Sequence, residues 1–173
     1  MANRRKKSGF RELVETVAIV VVLAFVIRTF VFESFQISGN SMQPTLFTGE
    51  RVMVNKLAFD IGKPKTGEII VFRSPQVPSQ DWIKRVIGLP GETVSIRNNN
   101  VYINGKLYPE PFLKYRQSTN YGPETVPQGD LFVLGDNRPI SDDSRIFGML
   151  PQSRITGQAF VIWWPFNRLR WLP

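Results

Sequence analysis

The chain contains no cysteine and no histidine. Without histidine there is no Ser-His-Asp arrangement, and without either residue the usual zinc sites are excluded. Cysteine nucleophiles and disulfides are ruled out as well, so redox compartment is not readable. A hydrolase built on this sequence needs Lys, Asp, Glu or the terminal amine as its base. Acidic residues are also scarce: 14 Asp+Glu stand against 22 Lys+Arg, a net charge of +8. Such a balance fits nucleic acid, an anionic membrane surface, or neither. No repeat is present, and 173 residues allow one domain with a modest core, or a small domain plus an appended element.

Long apolar runs are nearly absent too. The one exception covers residues 13–32, after a basic leader, residues 1–12, carrying Arg4, Arg5, Lys6, Lys7 and Arg11. About twenty helical residues span about 30 Å, the thickness of a hydrocarbon core. Only Glu15 and Arg28 interrupt the run, each near an end where a long side chain reaches headgroups. The uninterrupted part, Thr16 to Ile27, is short enough for a buried helix or a signal-peptide core, but no small-x-small cleavage site follows it. The expectation is a transmembrane anchor over 13–32 with a cytoplasmic N-terminus and everything after Glu33 across the membrane. This topology accounts for the basic excess and weakens the nucleic-acid reading.

Beyond Phe32 the pattern changes to short β-branched runs bounded by Gly, Pro, Asn and Asp. Strands are expected near 34–37, 51–55, 68–73, 82–87, 93–97, 101–103, 106–108, 131–134 and 159–164. Asn104-Gly105 between two of them is a strong hairpin signal. Residues 104–130 read as a hairpin and loop insertion. The expected class is mainly β: a folded sheet or partly open barrel over 33–173, behind an N-terminal transmembrane helix. The aromatic and basic tail, 161–171, suits a membrane interface or a last strand with a sticky end.

Three stretches concentrate chemistry. Ser38 to Leu46 holds Ser41 in a loop where Gly39 and Asn40 tolerate positive φ and Pro44 keeps its predecessor extended. Such a turn can aim a hydroxyl and its own N–H at one point, although the same pattern often marks a simple turn. In the second stretch, alternation puts Trp82, Lys84 and Val86 on one face and Ile83, Arg85 and Ile87 on the other. A lysine beside Trp82 and Val86 is either an ordinary strand lysine reaching solvent or a desolvated amine, and a neutral amine can accept a serine proton. In the third, Gly135 to Arg145 crowds serines, aspartates and arginines behind an apolar strand. Asp–Arg pairing explains that crowding, and EF-hand spacing is missing.

Together the blocks Gly39 to Thr45, Lys84 to Gly91 and Gly135 to Arg145 resemble type I signal (leader) peptidases, serine–lysine membrane proteases. The resemblance spans nearly the whole chain. It implies a membrane endopeptidase that removes signal peptides from translocated preproteins after small residues at −1 and −3. Ser41 is then the nucleophile and Lys84 the general base. Ser141 orients the lysine, and Asp143 with Arg145 forms a supporting ion pair. Family members with a serine two residues before the nucleophile use it as an oxyanion donor. Here Gly39 stands there, leaving a backbone N–H or a neighbouring side chain for that role. Phe35, Ile37, Met42, Leu46, Val71 and Ile83 match positions lining the −1 and −3 pockets, and a core would show the same residues. The implied partners are signal-peptide-bearing preproteins and a lipid bilayer, with no nucleic acid, no metal and no cofactor. The implied location is a bacterial plasma membrane or a thylakoid membrane. A self-cleaving repressor shares a related Ser–Lys fold, but a helix-turn-helix should then open the chain. A non-catalytic membrane-anchored β module is the third reading.

Overall fold

The computed structural model describes residues 9–173, with the side chains of residues 26–28 left aside. The cluster Arg4 to Lys7 of the expected leader lies outside the described residues. The chain opens with helix α1 (Gly9–Phe30). Val31 is a turn residue, and strand β1 (Phe32–Gln36) starts where the expected anchor was to end. Arg11, Glu12 and Glu15 occupy the first two turns of α1, and the uninterrupted apolar part gives only about 18 Å of helix. Among the described residues no helix is long and apolar enough to cross a membrane. The fold alone therefore does not carry the anchor expected over 13–32.

The rest is mainly antiparallel β. In chain order come β2 (Arg51–Asn55), the single turn α2 (Ala58–Ile61), β3 (Ile69–Arg73), β4 (Asp81–Gly88), β5 (Thr93–Arg97), β6 (Asn100–Ile103) and β7 (Lys106–Leu107). They are followed by β8 (Tyr121–Thr125), β9 (Asp130–Leu134), α3 (Ser144–Phe147), β10 (Leu150–Pro151), β11 (Ile155–Trp164) and β12 (Arg170–Trp171). Among the described residues the larger sheet runs β1-β2-β11-β3-β4-β9-β10, with β12 on β11, and the smaller runs β7-β6-β5-β8. Neither sheet closes on itself, so the architecture is two open sheets and not a closed barrel.

β3 explains how the layers form. Its Ile69-Ile70-Val71-Phe72 is β-branched or aromatic throughout and wholly buried, which requires cover on both faces. Ile69 and Val71 pack with Val52, Val54, Ala159 and Ile162, while Ile70 and Phe72 pack with Val86, Leu131 and Val133. A third cluster, including Ile87, Val94, Val101 and Phe132, joins the small sheet to the large one. β4 lies between β3 and β9, with Lys84 opposite Ile70, and Arg85 opposite both Ile69 and Leu134. Neighbouring residues of one central strand thus send two cations to opposite sides of a packed sheet.

The region between Pro109 and Asp130, read as loop, contains β8, paired to β5 through Thr93 and Thr125. The short α2 and α3 were also not anticipated.

Candidate active site

The loop after β1 is held at several points. Gly39 takes φ +88, a left-handed conformation that glycine adopts without a Cβ penalty. Asn40 stays outside that region and ties the loop instead: its Oδ1 accepts from Gln43 Nε2 at 2.9 Å and from Thr48 Oγ1 at 3.1 Å. Met42 and Leu46 are completely enclosed in the core beside Ile37, Val71 and Ile162, and so anchor the loop from below. They were expected to line a substrate pocket; both are almost fully enclosed and cluster with Ile37 and Val71, two residues that line the cleft over Ser41. Their side chains are the apolar plugs of the loop, so burial removes them from the surface.

Ser41, immediately before Met42, is half-buried, and the Nζ of Lys84 donates to its Oγ at 2.9 Å. Lys84 is only 4% exposed and forms no ion pair among the described residues. Its Nζ lies 5.7 Å from the centre of the Trp82 ring. Burial lowers its pKa from 10.5 to about 8, against the opposing pull of Asp143, Asp142 and Asp136, while Arg145 adds to the lowering. A large share of the amine is therefore neutral in mildly alkaline water, and at the same separation the serine hydroxyl can donate to its lone pair.

The segment 135–145 clamps the serine loop. The Asn137 N–H donates to the Ser41 carbonyl at 2.8 Å, and its Nδ2 donates to the Asn40 carbonyl at 3.1 Å. Thr45 Oγ1 donates to Asp136. A Cβ at Gly135 would fall 2.1 Å from Ser141 Oγ and 2.6 Å from the Ser41 carbonyl oxygen, so any side chain there would force its neighbours to move. Asp143 is wholly buried and holds Arg145 with both oxygens, at 2.8 Å each, while accepting from the Gly135 N–H at 3.0 Å. Ser141 departs from expectation. Its hydroxyl is buried, faces Gly135 closely and has no hydrogen-bond partner, in place of the expected bond to Lys84.

Two buried ion pairs, not anticipated, surround this clamp. Arg85 grips Asp136 bidentately at 2.9 and 2.6 Å, donates to the Gly67 carbonyl at 2.7 Å, and lies 3.9 Å from the Phe112 ring centre. Arg138 pairs with Glu110 and donates to the Gly135 carbonyl at 3.1 Å. Burial of Glu110 pushes its carboxyl pKa up, against the pull of Arg138. Phe112 and Glu110 belong to the stretch joining the small sheet, so both pairs fasten that stretch to the serine clamp.

A cleft of about 270 Å³ opens on Ser41 and Lys84. Its lining includes the apolar Phe35, Ile37, Val71 and Ile83, together with Ile140 and Asp142. Among the described residues no group of acidic side chains could hold a metal ion.

Comparison with known proteins matches residues 10–164 to the family described as signal peptidase, peptidase S26. A signal peptidase I of Bacillus licheniformis is 39% identical over 97% of this chain and 96% of its own. A signal peptidase I of Leptolyngbya laminosa is 42% identical over 94% of this chain and 83% of its own. The crystal structure of a signal peptidase I from Enterococcus faecalis V583 is 39% identical and covers 56% of this chain and 96% of its own, with a TM-score of 0.49. The chain belongs to the signal peptidase family, peptidase S26, whose members are peptide-bond hydrolases.

Proposed function

We propose that this chain is a membrane-anchored endopeptidase that cleaves signal peptides from translocated preproteins after small residues at −1 and −3. Ser41 attacks the scissile carbonyl carbon while neutral Lys84 takes the hydroxyl proton. The oxyanion is met by the Ser41 N–H, with Gly39 supplying no side-chain donor. Collapse of the intermediate breaks the C–N bond, and the Lys84 ammonium protonates the departing amine. Water then gives a proton to Lys84 and attacks the acyl ester, which releases the signal peptide and restores the hydroxyl. The observation that carries this reading is the 2.9 Å Lys84–Ser41 contact made by an amine whose pKa sits near 8.

Asp143 and Arg145 serve as a fixed pair that holds the 135–145 clamp. Ser141 orients the lysine after a rotation about its own χ1 from its present unpartnered position. Phe35, Ile37, Val71 and Ile83 form the shallow pockets for the small residues. Substrate lies extended along the free edge of β1, the end strand of its sheet.

Anchoring through residues 13–32, with the N-terminus cytoplasmic and the catalytic part extracytoplasmic, is supported by the run itself and by outward apolar side chains from Leu13 to Phe25 on α1. Exposed Trp164, Phe166 and Trp171 supply aromatic groups suited to the bilayer interface. The setting is a bacterial plasma membrane or a thylakoid membrane.

The test is cleavage of a preprotein by full-length protein in detergent or vesicles. Ser41→Ala should reduce cleavage to background, and Lys84→Ala should lose about 10²- to 10⁴-fold, with both variants folded by circular dichroism. Full activity in either variant would refute the assignment.

A further inference from the structure

The cleft over Ser41 does not end at the catalytic pair. Across a ridge formed by Ile140 and Asp142 lies a second depression of about 400 Å³, and both residues line both hollows. Its lining also includes Gln117 and Asn120 from the stretch before β8, and Tyr121, the first residue of that strand. We propose that this second depression binds the first residues of the mature chain, on the far side of the scissile bond, and that Asp142 makes it selective for a basic side chain there. The inference rests on the protease reading given above.

Direction follows from chain geometry. An extended peptide advances about 3.3 Å per residue and leaves a nucleophile in two opposite directions. One direction is taken by the apolar part of the cleft, Phe35, Ile37, Val71 and Ile83. The other is left for the neighbouring depression, which shares Ile140 and Asp142 with the cleft.

Charge sets the preference. Two guanidiniums border the depression, but each is committed. Arg145 is held by Asp143 and by the Arg138 carbonyl at 2.8 Å, and Arg138 is held by Glu110 and by the Gly135 carbonyl. Each pair is neutral as a unit. Asp142 is exposed and has neither an ion-pair partner nor a hydrogen bond among the described residues. The unbalanced charge at the ridge is therefore its carboxylate, which would favour a Lys or Arg in passing substrate and disfavour Asp or Glu.

The test uses full-length protein and peptides with one fixed signal-peptide half. Lys, Ala or Glu is placed singly at each of the first four mature positions, and kcat/KM is measured at a pH above 8. The wild type should prefer Lys over Glu by about fivefold at one or more positions, the upper range for an exposed ion pair. Asp142→Asn should bring that ratio close to one. Gln117→Lys, which adds a cation to the lining of the same depression, should lower the ratio or invert it. The same swap at −2, on the signal-peptide side, should give a ratio unaffected by Asp142→Asn. Equal cleavage of the Lys and Glu peptides by wild type, or a preference that persists in Asp142→Asn, would overturn the subsite while leaving the protease reading in place. No cleavage of any peptide would overturn both.

Discussion

The Nζ of Lys84 and the Oγ of Ser41 lie 2.9 Å apart although 43 residues separate them in the chain. A central strand buried on both faces delivers the amine, and a loop plugged by Met42 and Leu46 delivers the hydroxyl. Neither group can drift far, because each is set on a closely packed support. The amine's low pKa is a consequence of the same packing, since burial is its leading cause.

That burial has a stability cost with a definite pH signature. The folded pKa, about 8, lies below the unfolded value of 10.5, so the unfolded chain binds more protons between those values. Stability from this group is therefore lowest below pH 8 and recovers as pH rises toward 10.5. The shift corresponds to roughly 3 kcal/mol, offset by about 1 kcal/mol for the hydrogen bond to Ser41. Lys84→Met should be more stable than wild type by about 2 kcal/mol at pH 7, and the gap should close at about pH 10. Urea unfolding at both pH values measures it.

Gly135 carries the close approach between clamp and serine loop. Gly135→Ala places a methyl group 2.1 Å from Ser141 Oγ and 2.6 Å from the Ser41 carbonyl oxygen. Relief requires movement of the serine loop. A displacement of about 1 Å costs about 10²-fold in activity, and overpacking costs about 1–3 kcal/mol. The expected outcome is a folded variant with kcat/KM lowered about 100-fold, read by peptide cleavage alongside thermal unfolding.

The Arg85–Asp136 pair is almost completely buried and hydrogen-bonded on both oxygens. Removing one partner leaves an uncompensated charge, at a cost of about 3–5 kcal/mol. Arg85→Met and Asp136→Leu should each be destabilised by that amount. The double variant should recover much of the loss, because two apolar groups leave no orphan charge. A double-mutant cycle in denaturant tests this coupling.

Much of the sheet was readable from residues whose local chemistry admits few alternatives. Asn104 and Gly105 both take positive φ, 52 and 77, as their hairpin turn requires. Alternation along β4 put Trp82 and Lys84 on one face, and ring and amine are neighbours. β8 escaped because Tyr121-Gly122-Pro123-Glu124-Thr125 is written in turn residues and is mostly exposed; its strand character comes from pairing with β5. The clamp escaped for another reason. Asn137 reaches Asn40 across 97 residues, and Arg138 reaches Glu110 across 28. No local pattern encodes such pairings. Met42 and Leu46 show the converse limit: an apolar residue beside a nucleophile reads alike whether it faces a cleft or the core.

The most direct test of the central claim is the pH dependence of kcat/KM for a signal-peptide substrate, measured with wild type and with Lys84→Arg. The wild type should rise with pH and reach half its maximum near pH 8, as the buried amine loses its proton. Lys84→Arg, which keeps a permanent charge, should show no activity at any pH. A rise centred near 10.5 in the wild type, or substantial turnover by Lys84→Arg, would contradict a neutral amine at position 84 as the base for Ser41.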